Sequence, residues 1–399
     1  MIGCSTLVPC DVGPLPATSD RSPEVIRDAV VAWEEDAIVY AGPRSGWDAD
    51  LDESFDGCTI VPGFVDCHTH LPFAGWRDDE FEARLAGVTY RDLHGRGGIA
   101  RSARMLAEAS DDEVLDFCRP LAGEMLAHGT TALELKTGYG LSVEAELRHA
   151  RLARRLADEI PQTAVVTLLA CHSVPEGIGR RQWVEAVCEE LIPKAVEEAL
   201  VDAVDVYVED IAFTVEDLER VAATAGDAGL PLRVHADQLG PTGAAEAAAR
   251  LGARSADHLN HSSVAAAAAL AGSGSVAVLL PASTVLLRAQ PPPVDRLVAA
   301  GVPLALATDF NPGTSAVLSM PEAIALGCAG YGLLPLQALL AATANAAWVL
   351  GLHEALGSLA PGRRADLVVL DGPEFRRVPY RPGHNPVVKV VVDGSPNGD

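Results

Sequence analysis

Two histidines stand two positions apart at the end of an apolar run, Val61-Pro-Gly-Phe-Val-Asp-Cys-His68-Thr-His70. Residues i and i+2 of an extended strand point to the same face, so this pair could hold one metal ion between two imidazoles. On its own, a His-x-His on a strand is as readily a surface coincidence. A metal site needs three or four ligands, and two further runs end in ligand-type residues: Leu232-Arg-Val-His235-Ala-Asp-Gln238 and Leu304-Ala-Leu-Ala-Thr-Asp309. Taken singly, His235 reads as a hydrogen-bonded core histidine, and Asp309 as a turn residue ahead of Phe310-Asn-Pro-Gly313. Together the four make a joint accident much harder to sustain.

Those residues can meet only if the elements carrying them end at one rim. From about residue 59 to 312 short apolar runs alternate with longer helix-like stretches, the pattern of repeated βα units on a parallel sheet. Eight strands are expected at 60–70, 131–136, 164–172, 203–209, 232–238, 255–259, 275–280 and 304–309. Helices are expected between most of them, as at 143–159, 181–199 and 215–228, where apolar residues recur every three or four positions. Eight units suggest a closed (β/α)8 TIM-like barrel, whose catalytic mouth lies at the C-terminal strand ends; a doubly wound open sheet has the same count. Both chain ends carry short β-type runs, at 38–40, 366–370 and 387–392. The expected organisation is a small composite β domain from 1–61 and 361–399, and a barrel over 62–360.

The 399 residues are 49% hydrophobic and 21% charged, ordinary usage for a folded soluble protein. A net charge of −25 argues against a nucleic-acid surface, which needs clustered cations. An anionic small molecule would also need a local cation to draw it in. Eight scattered cysteines without a Cys-x-x-Cys pair fit free thiols in a reducing cytoplasm, and no targeting segment is visible at the N-terminus. The uncharged stretches 264–287 and 333–352 are broken by Gly, Pro and polar residues and are expected in the core, not in a membrane.

Further motifs carry a resemblance. Pro62-Gly-Phe-Val-Asp-Cys-His-Thr-His, Thr343-Ala-Asn-Ala-Ala and Gly357-Ser-Leu-Ala-Pro-Gly-Arg-Arg-Ala-Asp366 resemble the amidohydrolase superfamily. Phe73-Ala-Gly-Trp-Arg77-Asp-Asp-Glu-Phe81, Lys136-Thr-Gly-Tyr139-Gly-Leu, Ser255-Ala-Asp-His258-Leu and Ala307-Thr-Asp309-Phe-Asn311-Pro-Gly313-Thr314-Ser narrow it to a likeness to the imidazolonepropionases. The resemblance spans nearly the whole chain. It implies one metal ion, zinc or iron, on His68, His70, His235 and Asp309. Two-metal relatives usually add a carbamylated lysine on strand four; here that strand ends in Val206-Tyr-Val-Glu209, and Lys136 on strand two reads as structural or superficial.

The same likeness implies that Arg77, Tyr139, His172, Asn311, Gly313 and Thr314 line the substrate site. Arg77 has an independent argument, since a guanidinium near the mouth can grip a carboxylate bidentately; its ordinary alternative is a surface ion pair with Asp78, Asp79 or Glu80. Gln238 stands where some members have glutamate. It cannot act as a base, so its role would be hydrogen bonding to water or substrate, with proton transfer falling to Asp309 helped by His258 and with His172 stabilising charge on the carbonyl oxygen. The implied reaction is hydrolytic opening of 4-imidazolone-5-propanoate to N-formimidoyl-L-glutamate, and a homodimer is usual in the family. A deaminase built on the same ligands, or a non-catalytic metal-binding barrel, are the rival readings.

Overall fold

The computed structural model describes residues 1–13, 16–18, 21–94 and 97–397. Four strands come first: β1 (Ile2–Leu7), β2 (Ile26–Glu34), β3 (Ala37–Pro43) and β4 (Glu53–Pro62). Eight follow: β5 (Phe64–Asp66), β6 (Thr130–Lys136), β7 (Thr163–Cys171), β8 (Ala203–Val208), β9 (Leu232–Ala236), β10 (Ser255–His258), β11 (Val276–Leu279) and β12 (Leu304–Leu306). Three more end the chain: β13 (Leu367–Leu370), β14 (Val387–Val392) and β15 (Ser395–Asn397).

Strands β5 to β12 form one sheet in sequential order, each parallel to its predecessor. A doubly wound sheet reverses its order at a switch point; this one never does. Its two ends also meet. The Asp309 N–H donates to the His68 carbonyl at 3.0 Å, the His70 N–H donates to the Phe310 carbonyl at 2.9 Å, and Thr69 bridges Phe310 in parallel. The sheet is therefore a nearly closed (β/α)8 barrel, and the open-sheet alternative falls away.

The helices between the strands follow from sequence. Val143–Glu159 starts where the Ser142 hydroxyl accepts the Ala145 N–H at 3.2 Å, buries Leu147, Ala150, Ala153 and Leu156, and stops ahead of Pro161. The expected helix at 181–199 forms as Arg180–Ala186 and Ile192–Glu197 joined by a π turn, Val187–Leu191. Pro193 lacks an N–H to donate, and the wider turn accommodates it. Leu133 and Leu135 of β6 join the main apolar core, while Glu134 and Lys136, on the alternate face, point into a buried polar layer. Truncating a leucine such as Leu133 to alanine is expected to cost about 2–5 kcal/mol.

The first expected strand, 60–70, is two elements. Residues 60–62 belong to β4, which pairs antiparallel with β13, and the barrel begins only at Phe64. Gly63 is the crossing point. Its N–H donates to the Asp366 carbonyl at 2.9 Å, and a Cβ there would sit 2.1 Å from Thr131 Oγ1, so only glycine lets the chain pass from one sheet to the other. His68 and His70 consequently lie just beyond β5 rather than within it.

The seven-stranded sheet, ordered β15-β14-β13-β4-β1-β2-β3, is assembled from both chain ends around Ile2, Leu7, Val31, Ile38, Ile60, Leu367 and Val391. The uncharged stretches resolve into short elements, of which helix Val264–Ser273 buries only one face, Ala266, Ala267 and Leu270, and so departs from the expected core placement. Residues 264–287 form helix Val264–Ser273, β11 and helix Pro281–Leu286; 333–352 form Pro335–Ala341 and Ala344–Leu350. Among the described residues no helix is long and apolar enough to cross a membrane.

Candidate metal and substrate site

At the C-terminal rim of the barrel, backbone strain gathers. Asp237, His258, Leu259 and Asp309 all have positive φ, between 52° and 73°. Each such residue costs on the order of 1–3 kcal/mol, and clustering of that cost marks places where side-chain direction matters more than stability. His258 and Asp309 are two of the groups the sequence singled out.

His68, His70, His235 and His258 form one group of rings. His68 lies 4.5 Å from His235, 5.3 Å from His70 and 5.4 Å from His258 between ring centroids, and His235 lies 5.1 Å from His258. Asp309 Oδ1 is 3.2 Å from His70 Nε2 and 3.5 Å from His68 Nε2. Two triads have ligand atoms within 4.8 Å of one another, His68 with His70 and Asp309, and His68 with His235 and His258. The four residues implied as ligands are thus gathered, with His258 a fifth at the same place.

The outer nitrogens are tied down. His68 Nδ1 donates to Asp257 Oδ2 at 2.6 Å, and His235 Nδ1 lies 3.0 Å from Asp205 Oδ2. This leaves Nε2 of both rings directed at the group, buried and without a hydrogen-bond partner. Burial, then the nearby charge of Lys136, holds His68 well below the usual imidazole range; burial also lowers His70 and takes His258 down to about 3. Burial alone would raise the Asp309 carboxyl, but its hydrogen bond with His70 and the histidines around it keep it below the ordinary value. Bare Nε2 atoms on His68 and His235, with the His70 ring and one ionised carboxylate beside them, are the donor set a divalent cation takes, and the site fits one.

Beneath the rings lies a charged layer sealed from solvent. Lys136 Nζ sits 2.5 Å from Asp205 Oδ2 and 2.9 Å from Glu134 Oε2, and Arg233 pairs with Glu134. Lys136 is therefore a structural lysine and not a surface one. Burial raises the Asp257 carboxyl to about 7, whereas His235 and Lys136 outweigh burial at Asp205 and hold it well below. The sequence reading missed Asp205, Asp257 and Glu134. For Asp205 a signal was there, a lone carboxylate in the otherwise apolar strand Ala203-Val-Asp205-Val-Tyr-Val; Glu134 and Asp257 share their strands with other polar residues and carry no such mark.

Above the rings a cavity is lined by His70, Arg77, Ile99, Tyr139, His172, Tyr207, His235, Gln238, His258, Asp309, Asn311 and Thr314. Of the residues implied for substrate, only Gly313 is outside that lining. Its part is steric: a Cβ there would meet Arg77 Nη2 at 1.9 Å, so the guanidinium packs against bare backbone. Arg77 is 3% exposed, its Nε and Nη1 have no hydrogen-bond partner, and the nearest carboxylate oxygen, Glu80 Oε2, is 3.7 Å away. Of its three acidic neighbours Glu80 does pair with it, but in the interior and not on the surface. Asp79 pairs instead with Arg101 at 2.7 Å, and Glu80 accepts the Gly98 N–H at 2.9 Å.

Asn311 spends its amide within its own loop, donating to the Asp309 carbonyl at 2.6 Å and to Thr314 Oγ1 at 2.8 Å. His172 Nδ1 donates to the Gly138 carbonyl at 3.2 Å, and the ring stacks 5.3 Å from His70. Tyr207, which sequence reading passed over, lies 5.7 Å from His235 on β8.

Comparison with known proteins agrees with this geometry. A family model described as the amidohydrolase family matches residues 59–396. Among solved structures, an adenosine deaminase from Xanthomonas campestris with bound zinc superposes with a TM-score of 0.73 at 21% identity, covering 99% of this chain and 92% of that one. E. coli guanine deaminase gives 0.72 at 15% identity over 100% and 99%. At such identities the likeness carries the fold alone. The chain belongs to the amidohydrolase family. Its sequence relatives are imidazolonepropionases: one from Rhizorhabdus wittichii is 42% identical over 370 residues, 91% of this chain and 93% of that protein, and one from Rubrobacter xylanophilus is 41% identical over 391 residues, 96% and 94%.

Proposed function

We propose that the chain hydrolyses the lactam ring of 4-imidazolone-5-propanoate to N-formimidoyl-L-glutamate, the step of histidine breakdown for which its relatives are named. The observation that carries this reading is Arg77: a buried guanidinium, without a hydrogen bond at Nε or Nη1 and only loosely paired with Glu80 at 3.7 Å, lining the same cavity as the histidine group. A buried cation so placed asks for an anionic ligand, and a propanoate tail supplies one.

In this reading His68, His70, His235 and Asp309 hold a single zinc or iron ion, and the catalytic barrel is the unit 62–360. When bound, the ion supplies Lewis acidity and a water acidic enough to attack a carbonyl near neutral pH. Arg77 fixes the tail and so decides which carbonyl lies over the cluster. Asp309 takes the proton of the attacking water and returns it to the ring nitrogen as the C–N bond breaks, with neutral His258 beside it. His172, its Nδ1–H held by Gly138, stabilises the charge building on the carbonyl oxygen through an Nε2–H, which requires the ring protonated on both nitrogens. Tyr139 closes one wall, and Gln238 hydrogen-bonds water or substrate without basicity. Asn311 and Thr314 shape the loop that carries Asp309, and Gly313 makes room for Arg77. The protein acts in the cytoplasm, as a homodimer.

The test is incubation of metal-replete protein with freshly generated imidazolone propanoate. Loss of the imidazolone absorbance with formation of formimidoylglutamate and no ammonia is expected. Ammonia release would instead mark a deaminase.

A further inference from the structure

Four consecutive backbone N–H groups, Gly138 to Leu141, all point at two side chains of one helix. Glu146 Oε2 accepts from Gly138 at 3.1 Å, and Glu146 Oε1 accepts from Gly140 at 2.6 Å and Leu141 at 3.2 Å. His149 Nδ1 accepts from Tyr139 at 3.3 Å, while its Nε2–H donates to the Pro72 carbonyl at 2.8 Å, which fixes the tautomer. Glu146 and His149 are both fully buried, three residues apart on helix Val143–Glu159, and so project from one face. The loop has no freedom to shift against them. A Cβ on Gly140 would meet the Glu146 backbone nitrogen at 2.3 Å, and one on Gly138 would meet His172 Nδ1 at 2.7 Å.

This arrangement is a ring of donors closed around an internal carboxylate, the geometry by which backbone commonly binds an anion. A buried carboxylate is costly, and the site keeps it although neither oxygen touches the cavity. What the loop delivers explains the expense. It sets the Tyr139 ring 5.5 Å from His172 and 6.3 Å from His70, and its Gly138 carbonyl holds the His172 ring. We infer that Glu146 and His149 are positioning residues, a clamp that orients Tyr139 and His172 toward the substrate. The inference rests on the function proposed above.

Glu146→Gln preserves size but turns one acceptor into an N–H donor facing backbone N–H groups. A misplacement of about 1 Å can cost on the order of 100-fold in rate, and a loss of ~10–100-fold in kcat/KM is expected. A merely structural role is separated in two ways. Leu156→Ala, lower on the same helix, should reduce Tm at least as much while keeping kcat/KM within about threefold, since it only removes packing. In a double-mutant cycle, Tyr139→Phe should cost clearly less in the Glu146→Gln background than in the wild type, because the ring is already displaced.

Amide hydrogen exchange gives a readout independent of the substrate: protection at 138–141 should fall in Glu146→Gln and His149→Ala but not in Leu156→Ala. Wild-type kcat/KM in Glu146→Gln, additive costs in the cycle, or unchanged exchange at 138–141 would overturn the clamp. A wild-type protein inactive on imidazolone propanoate but with the exchange difference intact would overturn the proposed reaction instead.

Discussion

Asp257 Oδ2 reaches to 2.6 Å from Nδ1 of His68, with both side chains sealed from solvent. The contact fixes which nitrogen of His68 carries hydrogen, and so which one is bare. Asp257→Asn is expected to weaken metal retention ~10–100-fold while leaving the fold intact. Competition with a chelator, read by metal analysis of the recovered protein, checks this; retention equal to wild type would exclude Asp257 from orienting the ligand. Stripping the metal from the wild type should also lower Tm, because an ion that binds only the native state stabilises it.

The role proposed for Arg77, gripping the substrate's tail, makes a paired prediction. Arg77→Ala should lower kcat/KM by about 10–100-fold, the value of a charge-assisted hydrogen bond, and Arg77→Lys should recover little because an ammonium lacks the planar fork. Gly313→Ala should resemble Arg77→Ala without touching the charge, since its methyl would occupy the guanidinium's place. Asp78→Ala is the control. Steady-state kinetics on the four variants decide the matter, and a Gly313→Ala enzyme with wild-type constants would contradict the packing argument.

Lys136 supports two buried carboxylates at once. Lys136→Met removes the shared cation and leaves Glu134 and Asp205 undercompensated, which should cost about 3–5 kcal/mol. Denaturant unfolding measures it. A loss under 1 kcal/mol would mean that Arg233 alone neutralises the layer.

Glu209 titrates in an unusual place. Burial pushes its carboxyl from 4.5 up to about 7, against the pull of the Leu239 and Gln238 N–H groups. Between those two values the native state holds a proton that the unfolded chain has released. Stability attributable to this group therefore falls as pH rises from about 4.5 to 7, by at most about 3 kcal/mol. Glu209→Gln keeps an acceptor for the Leu239 N–H, now at 2.9 Å, and removes the titration. Its Tm should decline less steeply than the wild type's across that window; parallel profiles would show that Glu209 stays ionised throughout.

Much of the site could be read before any coordinates. His68, His70, His235 and Asp309 were legible because apolar runs rarely end in ligand-type residues by accident, and the eight-unit alternation told where those ends would meet. Other parts depended on contacts between distant segments. That Asp205 and Asp257 reach separate histidines is a matter of barrel registry, with Asp257 beside His235 and Asp205 beside Arg233 on neighbouring strands. Arg77 looked like a member of its acidic neighbourhood until the helix Asp78–Leu85 turned Asp79 toward Arg101. The break at Gly63 was hidden because apolar residues continue across it, and only the pairing of β4 with β13 reveals the change of sheet.

The seam where the Asp309 N–H meets the His68 carbonyl joins the earliest barrel segment to the latest. A ribosome-bound polypeptide halted before residue 309 has no such seam and lacks one of the proposed ligands. On the proposed ligand set, loading of the ion waits for residue 309, which would make the ion a fastener for the joined strands and not a seed for folding. Stalled chains ending short of that residue, left with the histidines alone, should accordingly retain less of it in a pull-down than chains that include it.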